Sequence, residues 1–264
     1  MEMLQGAGIG VLAFSWWGKN SYEDRSLTTY LDIAKSYGIK IALHIEPFYS
    51  GAEELKTQLD YLAVEYREHP ALFLYKNKPF YYMYDSYKLK VDAWKKVLQP
   101  SGALSVRNTS SDATFIGLWV HKDEEDFFAR SGFDGFYTYF ASDSFVYGST
   151  SANWQELSEI ADKNDMLFVP CAGPGYIDTR IRPWNDENKK NRNKGVYYEK
   201  MFRAAIDAQP DFIGITSFNE WHEGTQIEPA VPKSIKGYEY EDYGKNISPS
   251  FYLEKTKRLI EEYN

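Results

Sequence analysis

The chain of 264 residues has a single cysteine, Cys171, so no intramolecular disulfide can brace it. A lone Cys beside Val169 and Pro170 reads as a small buried strand residue and not as a nucleophile. No apolar run reaches membrane-spanning length, and no basic-then-apolar leader opens the sequence. Cationic stripes are missing too. The formal net charge is −8, and the one basic cluster is Lys189, Lys190, Arg192 and Lys194. That disfavours a nucleic-acid partner, which needs a basic footprint. The cluster reads as a solvated helix start. There are four His, and none forms the paired spacing of a zinc-protease helix, so no metal is called for. His69 and His121 read as turn or surface residues. No Gly-x-Ser-x-Gly elbow is present. Gly6-Ala7-Gly8-Ile9-Gly10 precedes the first apolar run, where a dinucleotide loop would follow it.

What the chain does hold is a 43% hydrophobic share, enough for a sizeable core, and a 17% aromatic share with 22 Tyr and 7 Trp. Such rings pair an apolar face with a polar edge, which suits the recognition of sugars. Two sequons, at Asn108 and Asn246, matter only in a secretory compartment.

Short runs rich in β-branched and aromatic residues predict strands at 10–16, 39–46, 80–84, 114–120, 135–139, 167–172 and 212–218. Amphipathic segments at 26–37, 52–68, 91–98, 124–131, 152–163, 197–208 and 249–262 predict helices between and after them. Strand followed by helix, seven times over, implies parallel strands and right-handed crossovers. Trp16, Glu46, Asp85, Tyr139 and the Asn219-Glu220 pair all fall at predicted strand C-termini. In a (β/α)8 barrel those ends converge on the active-site face. The expected fold is therefore α/β, a TIM-like barrel in one domain over 1–264, with seven of eight strand–helix units visible.

Three segments carry chemistry. In His44-Ile45-Glu46-Pro47, His44 and Glu46 share side-chain parity, so both face one side of their strand. They fit either a substrate hydroxyl site or a structural His–Glu pair. In Asn219-Glu220-Trp221-His222-Glu223-Gly224, two carboxylates follow a strand end. Glycoside hydrolysis needs such a pair: one group protonates the leaving oxygen while the other assists at the sugar. Trp221 is placed to meet a sugar face, and Asn219 and His222 to bind hydroxyls or tune the carboxylates. The segment from Gly173 to Asn185 is long, irregular and polar. Its Tyr176 and Arg182 fit either ligand contacts or an Arg–Asp pair that holds the loop.

These motifs, together with Tyr84-Asp85-Ser86-Tyr87 and Gly132 to Phe140, resemble glycoside hydrolase family 99, the endo-α-1,2-mannosidases and mannanases. The resemblance runs from about Gly8 to the C-terminal helix. It implies a barrel acting inside α-mannosidic glycans, some of them glucosylated, with retention and without a cofactor or metal. It implies Glu220 as base on the sugar 2-hydroxyl, giving a 1,2-anhydro sugar. It implies Glu223 as acid on the leaving group and then base on water. Implied binding positions are Trp16, His44, Glu46, Tyr84, Tyr139, Tyr176 and Arg182. The implied partner is an α-mannoside glycan, and the expected state is a monomer with no membrane segment. The implied compartment is the Golgi lumen in a eukaryote, or the periplasm or cell surface in a bacterium. Family members carry further catalytic-domain sequence before the segment matching Gly8, with the first barrel strand and a Tyr-rich wall. An incomplete, N-terminally truncated barrel is expected here.

Overall fold

A computed structural model describes residues 1–47, 50–231, 234–235, 238–239 and 247–263. Asn246, of the second sequon, lies outside them. A short helix α1 (Glu2–Gly6) leads into β1 (Val11–Trp16), α2 (Tyr22–Ser36), β2 (Lys40–Ile45) and α3 (Ala52–Tyr66). A small hairpin strand β3 (Leu74–Tyr75) then precedes β4 (Lys78–Met83) and α4 (Val91–Leu98). β5 (Thr114–Leu118), α5 (Glu125–Ser131), β6 (Gly135–Tyr137) and α6 (Trp154–Lys163) follow. Last come β7 (Leu167–Val169), β8 (Cys171–Ala172), α7 (Val196–Asp207), β9 (Gly214–Ile215), the pair β10 (Ser234–Ile235) and β11 (Tyr238–Glu239), and α8 (Phe251–Tyr263).

Parallel pairing runs β1-β2-β4-β5-β6-β7, and β8 continues to β9. All seven expected strands are present. The sixth is split at Pro170, whose nitrogen has no hydrogen to donate. The Thr138 hydroxyl takes over there and accepts the Cys171 N–H at 2.8 Å. Among the described residues β1 and β9 do not pair, so the barrel wall is open between them. Helix ends differ from expectation by a few residues. The largest shift is at α2, which begins at Tyr22 because the Ser21 hydroxyl accepts the Asp24 N–H and caps it.

Two apolar layers follow from strand parity. Outward-facing Leu43, Ile45, Tyr81, Met83, Phe115, Trp119, Phe136 and Phe168 pack under the helices. Inward-facing Ala42, Phe80, Ile116, Leu118, Tyr137, Val169 and Cys171 fill the barrel. Phe73, Tyr75 and Phe80 each meet Phe212 edge to face and plug its lower end, Phe80 and Phe212 at 5.5 Å. Higher up, the same faces turn to Tyr82, Tyr84, Tyr137, Tyr139 and His44. The interior thus grades from dry aromatic to hydroxyl-rich toward the strand C-termini. Cys171 is buried in this interior, and burial pushes its thiol up to about 11, away from reactivity.

Candidate active site

The mouth of the barrel is built from four strand ends. From β2 come His44 and Glu46, both buried. His44 Nδ1 lies 2.9 Å from Glu46 Oε1, and Nε2 lies 2.8 Å from the Tyr137 hydroxyl on β6. With Glu46 accepting from Nδ1–H, Nε2 accepts a hydrogen bond from the Tyr137 hydroxyl. Both readings of the His44–Glu46 pair are thereby compatible: the pair is hydrogen-bonded, and it stands at the mouth. Tyr137 is a partner that sequence reasoning missed, because it lies 93 residues away.

Just past β4 and β6, Tyr84 and Tyr139 cross with ring centroids 4.8 Å apart. Burial raises both phenols above their usual range, and the carboxylates Glu46 and Glu223 raise them further. Tyr139 has φ +50°, a left-handed backbone that a bulky side chain adopts only where its surroundings hold it. Its carbonyl accepts the Thr216 hydroxyl at 2.5 Å.

The loop after β9 carries the two glutamates. Ser217 closes its base: the Ser217 N–H donates to the Thr225 carbonyl at 2.8 Å, and the Ser217 hydroxyl accepts the Glu220 N–H at 2.9 Å. Glu220 is half-buried, and its Oε1 accepts the His222 N–H at 3.2 Å. Glu223 is more enclosed. Burial pushes its carboxyl above the usual carboxylate range; Arg182 pulls it down, and Glu220 and Asp178 add to the rise. Arg182 Nη1 donates to Glu223 Oε1 at 3.0 Å. A carboxyl whose proton affinity burial raises, on one loop with a second carboxyl, suits acid/base chemistry.

The segment from Gly173 to Asn188 braces that loop. The Ile177 N–H donates to the Glu223 carbonyl at 2.8 Å. Gly224, with φ +62°, sits so close to Ile177 that a Cβ would lie 2.5 Å from its Cγ2. Asp178 is 1% exposed and accepts from Tyr176, Arg182 and Asn185. The expected solvated basic cluster is corrected at one position. Arg192 is 1% exposed, donates to the Gly224 and Gln226 carbonyls at 2.9 and 2.8 Å, and lies over the Tyr252 ring. It holds the glutamate loop from below. The signal that sets it apart from its neighbours is long-range and absent from the local sequence.

His44, Glu46, Tyr84, Tyr139, Tyr176, Arg182, Glu220 and Glu223 therefore converge. Asn219 and His222 lie exposed on the same loop, and Trp221 donates its indole N–H to Glu228 at 2.7 Å. The expectation for Trp16 is not met in this structure. Trp16 is 0% exposed, pairs in register with outward-facing Ile45, and donates its indole N–H to Asp24 at 2.9 Å. It belongs to the helix layer and offers no face to a ligand. The next residue, Trp17, has the inward parity of Glu46 and is 54% exposed. Among the described residues no cluster of His, Cys, Asp and Glu is arranged to hold a metal ion. No helix among them is long and apolar enough to cross a membrane.

Parallel strands in a barrel wall, with a carboxylate pair and aromatic rings at their C-terminal ends, define a barrel of the glycoside-hydrolase class. The family model "Glycosyl hydrolase family 99" matches residues 1–264, and the chain belongs to that family. It is 44% identical over 276 residues to the glycoprotein endo-alpha-1,2-mannosidase of Rattus norvegicus, with all of this chain and 60% of that protein covered. It is 42% identical, at the same coverage, to the glycoprotein endo-alpha-1,2-mannosidase-like protein of Homo sapiens. The chain thus spans about 60% of the length of these relatives. The solved GH99 endo-alpha-mannosidase from Bacteroides thetaiotaomicron superposes with a TM-score of 0.96 at 43% identity, covering 99% of this chain and 77% of that one.

Proposed function

We propose that this chain carries the catalytic site of a retaining endo-α-1,2-mannosidase acting on mannose glycans, including glucosylated ones. The observation that carries the reading is the Glu223 carboxyl. Burial raises its affinity for a proton, the Arg182 guanidinium donates to it at 3.0 Å, and it shares the loop at the barrel mouth with Glu220. Glu220 takes the proton of the sugar 2-hydroxyl, and O2 closes onto C1. The C1–O bond to the leaving glycan breaks as Glu223 gives that oxygen its proton. Glu223 then removes a proton from water attacking C1, and Glu220 returns one to O2. Two inversions leave the configuration retained. Tyr84, Tyr139, Glu46 and Trp17 form the surface on which the mannoside lies. The family resemblance supplies the 2-hydroxyl route; a paired-carboxylate geometry alone also fits a carboxylate nucleophile.

The test is release of product from an α-1,2-linked mannose oligosaccharide by the chain and by Glu223→Gln. Loss of acid catalysis lowers the rate by about 10²–10⁴-fold. Much of the loss disappears with a leaving group that needs no proton. Equal release by both proteins excludes the assignment. A second reading, carbohydrate binding without turnover, fits a wall that is open between β1 and β9 among the described residues. Calorimetric binding without product release would establish it. A Golgi-lumen location in a eukaryote belongs with the first reading, as does a role in glycan processing.

A further inference from the structure

The Arg182 side chain is 43% exposed, yet its Nη1 must be held still to meet Glu223. A long, half-exposed arginine has ample rotamer freedom and does not hold one orientation unaided. Its other partner is different in kind. Asp178 is buried, and its position is over-determined. The Tyr176 hydroxyl reaches Oδ2 at 2.8 Å, and Asn185 Nδ2 reaches both oxygens at 3.0 and 3.1 Å. The Asp178 carbonyl also accepts the N–H groups of Ile181 and Arg182, at 2.9 and 2.8 Å, so the turn carrying Arg182 is built on the same residue. Arg182 Nη1 donates to Asp178 Oδ2 at 2.9 Å and to Glu223 Oε1 at 3.0 Å. One nitrogen thus spends each of its two hydrogens on a different carboxylate.

We infer that Asp178 is a positioning residue: it anchors the Arg182 guanidinium in the orientation that directs Nη1 at the Glu223 carboxyl. The inference rests on the role given to Glu223 above, and its test separates the two. The charged and titratable groups that bear on Glu223 are Arg182, Asp178 and Tyr176 from this segment, Glu220 from its own loop, and Tyr84 and Tyr139 from the ends of β4 and β6.

The sign of one measurement discriminates. Arg182 lowers the Glu223 titration more than the direct charge of Asp178 raises it. If Asp178 is only a nearby negative charge, Asp178→Asn lowers the Glu223 midpoint. If Asp178 anchors Arg182, Asp178→Asn releases the guanidinium, and the midpoint rises by about one pH unit. The experiment is a carboxyl NMR titration of the whole chain labelled with ¹³C-glutamate, with the Glu223 signal assigned by its loss in Glu223→Gln. A rise supports the inference; a fall or no change overturns it. Should Asp178→Asn not fold, Asn185→Ala removes the amide that holds both Asp178 oxygens and leaves the Asp178 and Arg182 charges in place. With its anchor loosened the guanidinium drifts from Glu223 and the midpoint again rises; no change overturns the inference. Where hydrolysis is measurable, the alkaline limb of kcat/KM follows the NMR midpoint upward. A midpoint that rises while the limb stays put leaves the anchoring intact and removes Glu223 from the acid role.

Discussion

Asp24 gives the sharpest test of the helix layer to which Trp16 belongs. Its carboxylate accepts from the Trp16 indole at 2.9 Å, the Tyr61 and Tyr66 hydroxyls at 2.9 Å each, and the Asn20 N–H at 2.7 Å. One buried group thus ties β1, α2 and α3 together. In Asp24→Ala the Trp16 N–H is left buried without this acceptor, at a cost of about 1–3 kcal/mol. Tyr66 keeps the Asp24 carbonyl at 3.1 Å, so its loss is smaller. Tyr61 and Asn20 are accessible enough for water to replace the carboxylate. The sum is about 3 kcal/mol, or a fall of about 6–12 °C in Tm for a chain of this size. The pH dependence has a definite sign. Burial works against the charged carboxyl, but the bonds from Trp16, Asn20, Tyr66 and Tyr61 outweigh it, and the folded value lies below the usual one. The ionised group's contribution is therefore full above the unfolded value of about 3.9 and is lost as pH falls through the folded value. Asp24→Asn cannot titrate, so its stability gap from the parent chain is constant near neutrality and narrows below about pH 4. Thermal and denaturant melts by circular dichroism at pH 7, 5, 4 and 3 measure this. A gap for Asp24→Ala under about 1 kcal/mol at pH 7, or a gap for Asp24→Asn that widens in acid, refutes the reasoning.

Two further outcomes are expected. Trp17→Ala weakens binding of a mannose oligosaccharide by about tenfold without changing Tm, whereas Trp16→Phe lowers Tm and spares affinity; calorimetry and melting curves separate the two. Gly224→Ala places a Cβ against Ile177 at a left-handed φ, costing about 1–3 kcal/mol, and displaces Glu223, so hydrolysis falls further than stability does.

Much of the architecture was legible locally. Strand and helix periods announce themselves within about ten residues, and all seven expected strands are present. Shared parity brought His44 and Glu46 to one face without knowledge of any partner. The Glu220–Glu223 cluster stood out because Asn, Trp, His and Gly make a poor helix surface. What failed was of another kind. In β1 the large residues Leu12, Phe14 and Trp16 alternate with the small Val11, Ala13 and Ser15, and two tryptophans end the run. Only the pairing of Trp16 with Ile45 shows that Trp16 faces the helices and that inward parity falls on Trp17.

The sequence by itself determined the alternation of strands and helices, the strand-end placement of the polar groups, and the carboxylate pair. These are properties of neighbours along the chain, set by backbone periodicity. The tertiary structure alone decided that Trp16 is core, that Arg192 is buried beneath the glutamate loop, and that Tyr137 and Asp178 hold the groups at the mouth. Tyr137 and His44 are 93 residues apart, and Arg192 and Gly224 are 32 apart. No local pattern encodes such pairs. A buried charge is stable only where the fold brings its partners, and until then an arginine in a basic cluster looks like any other.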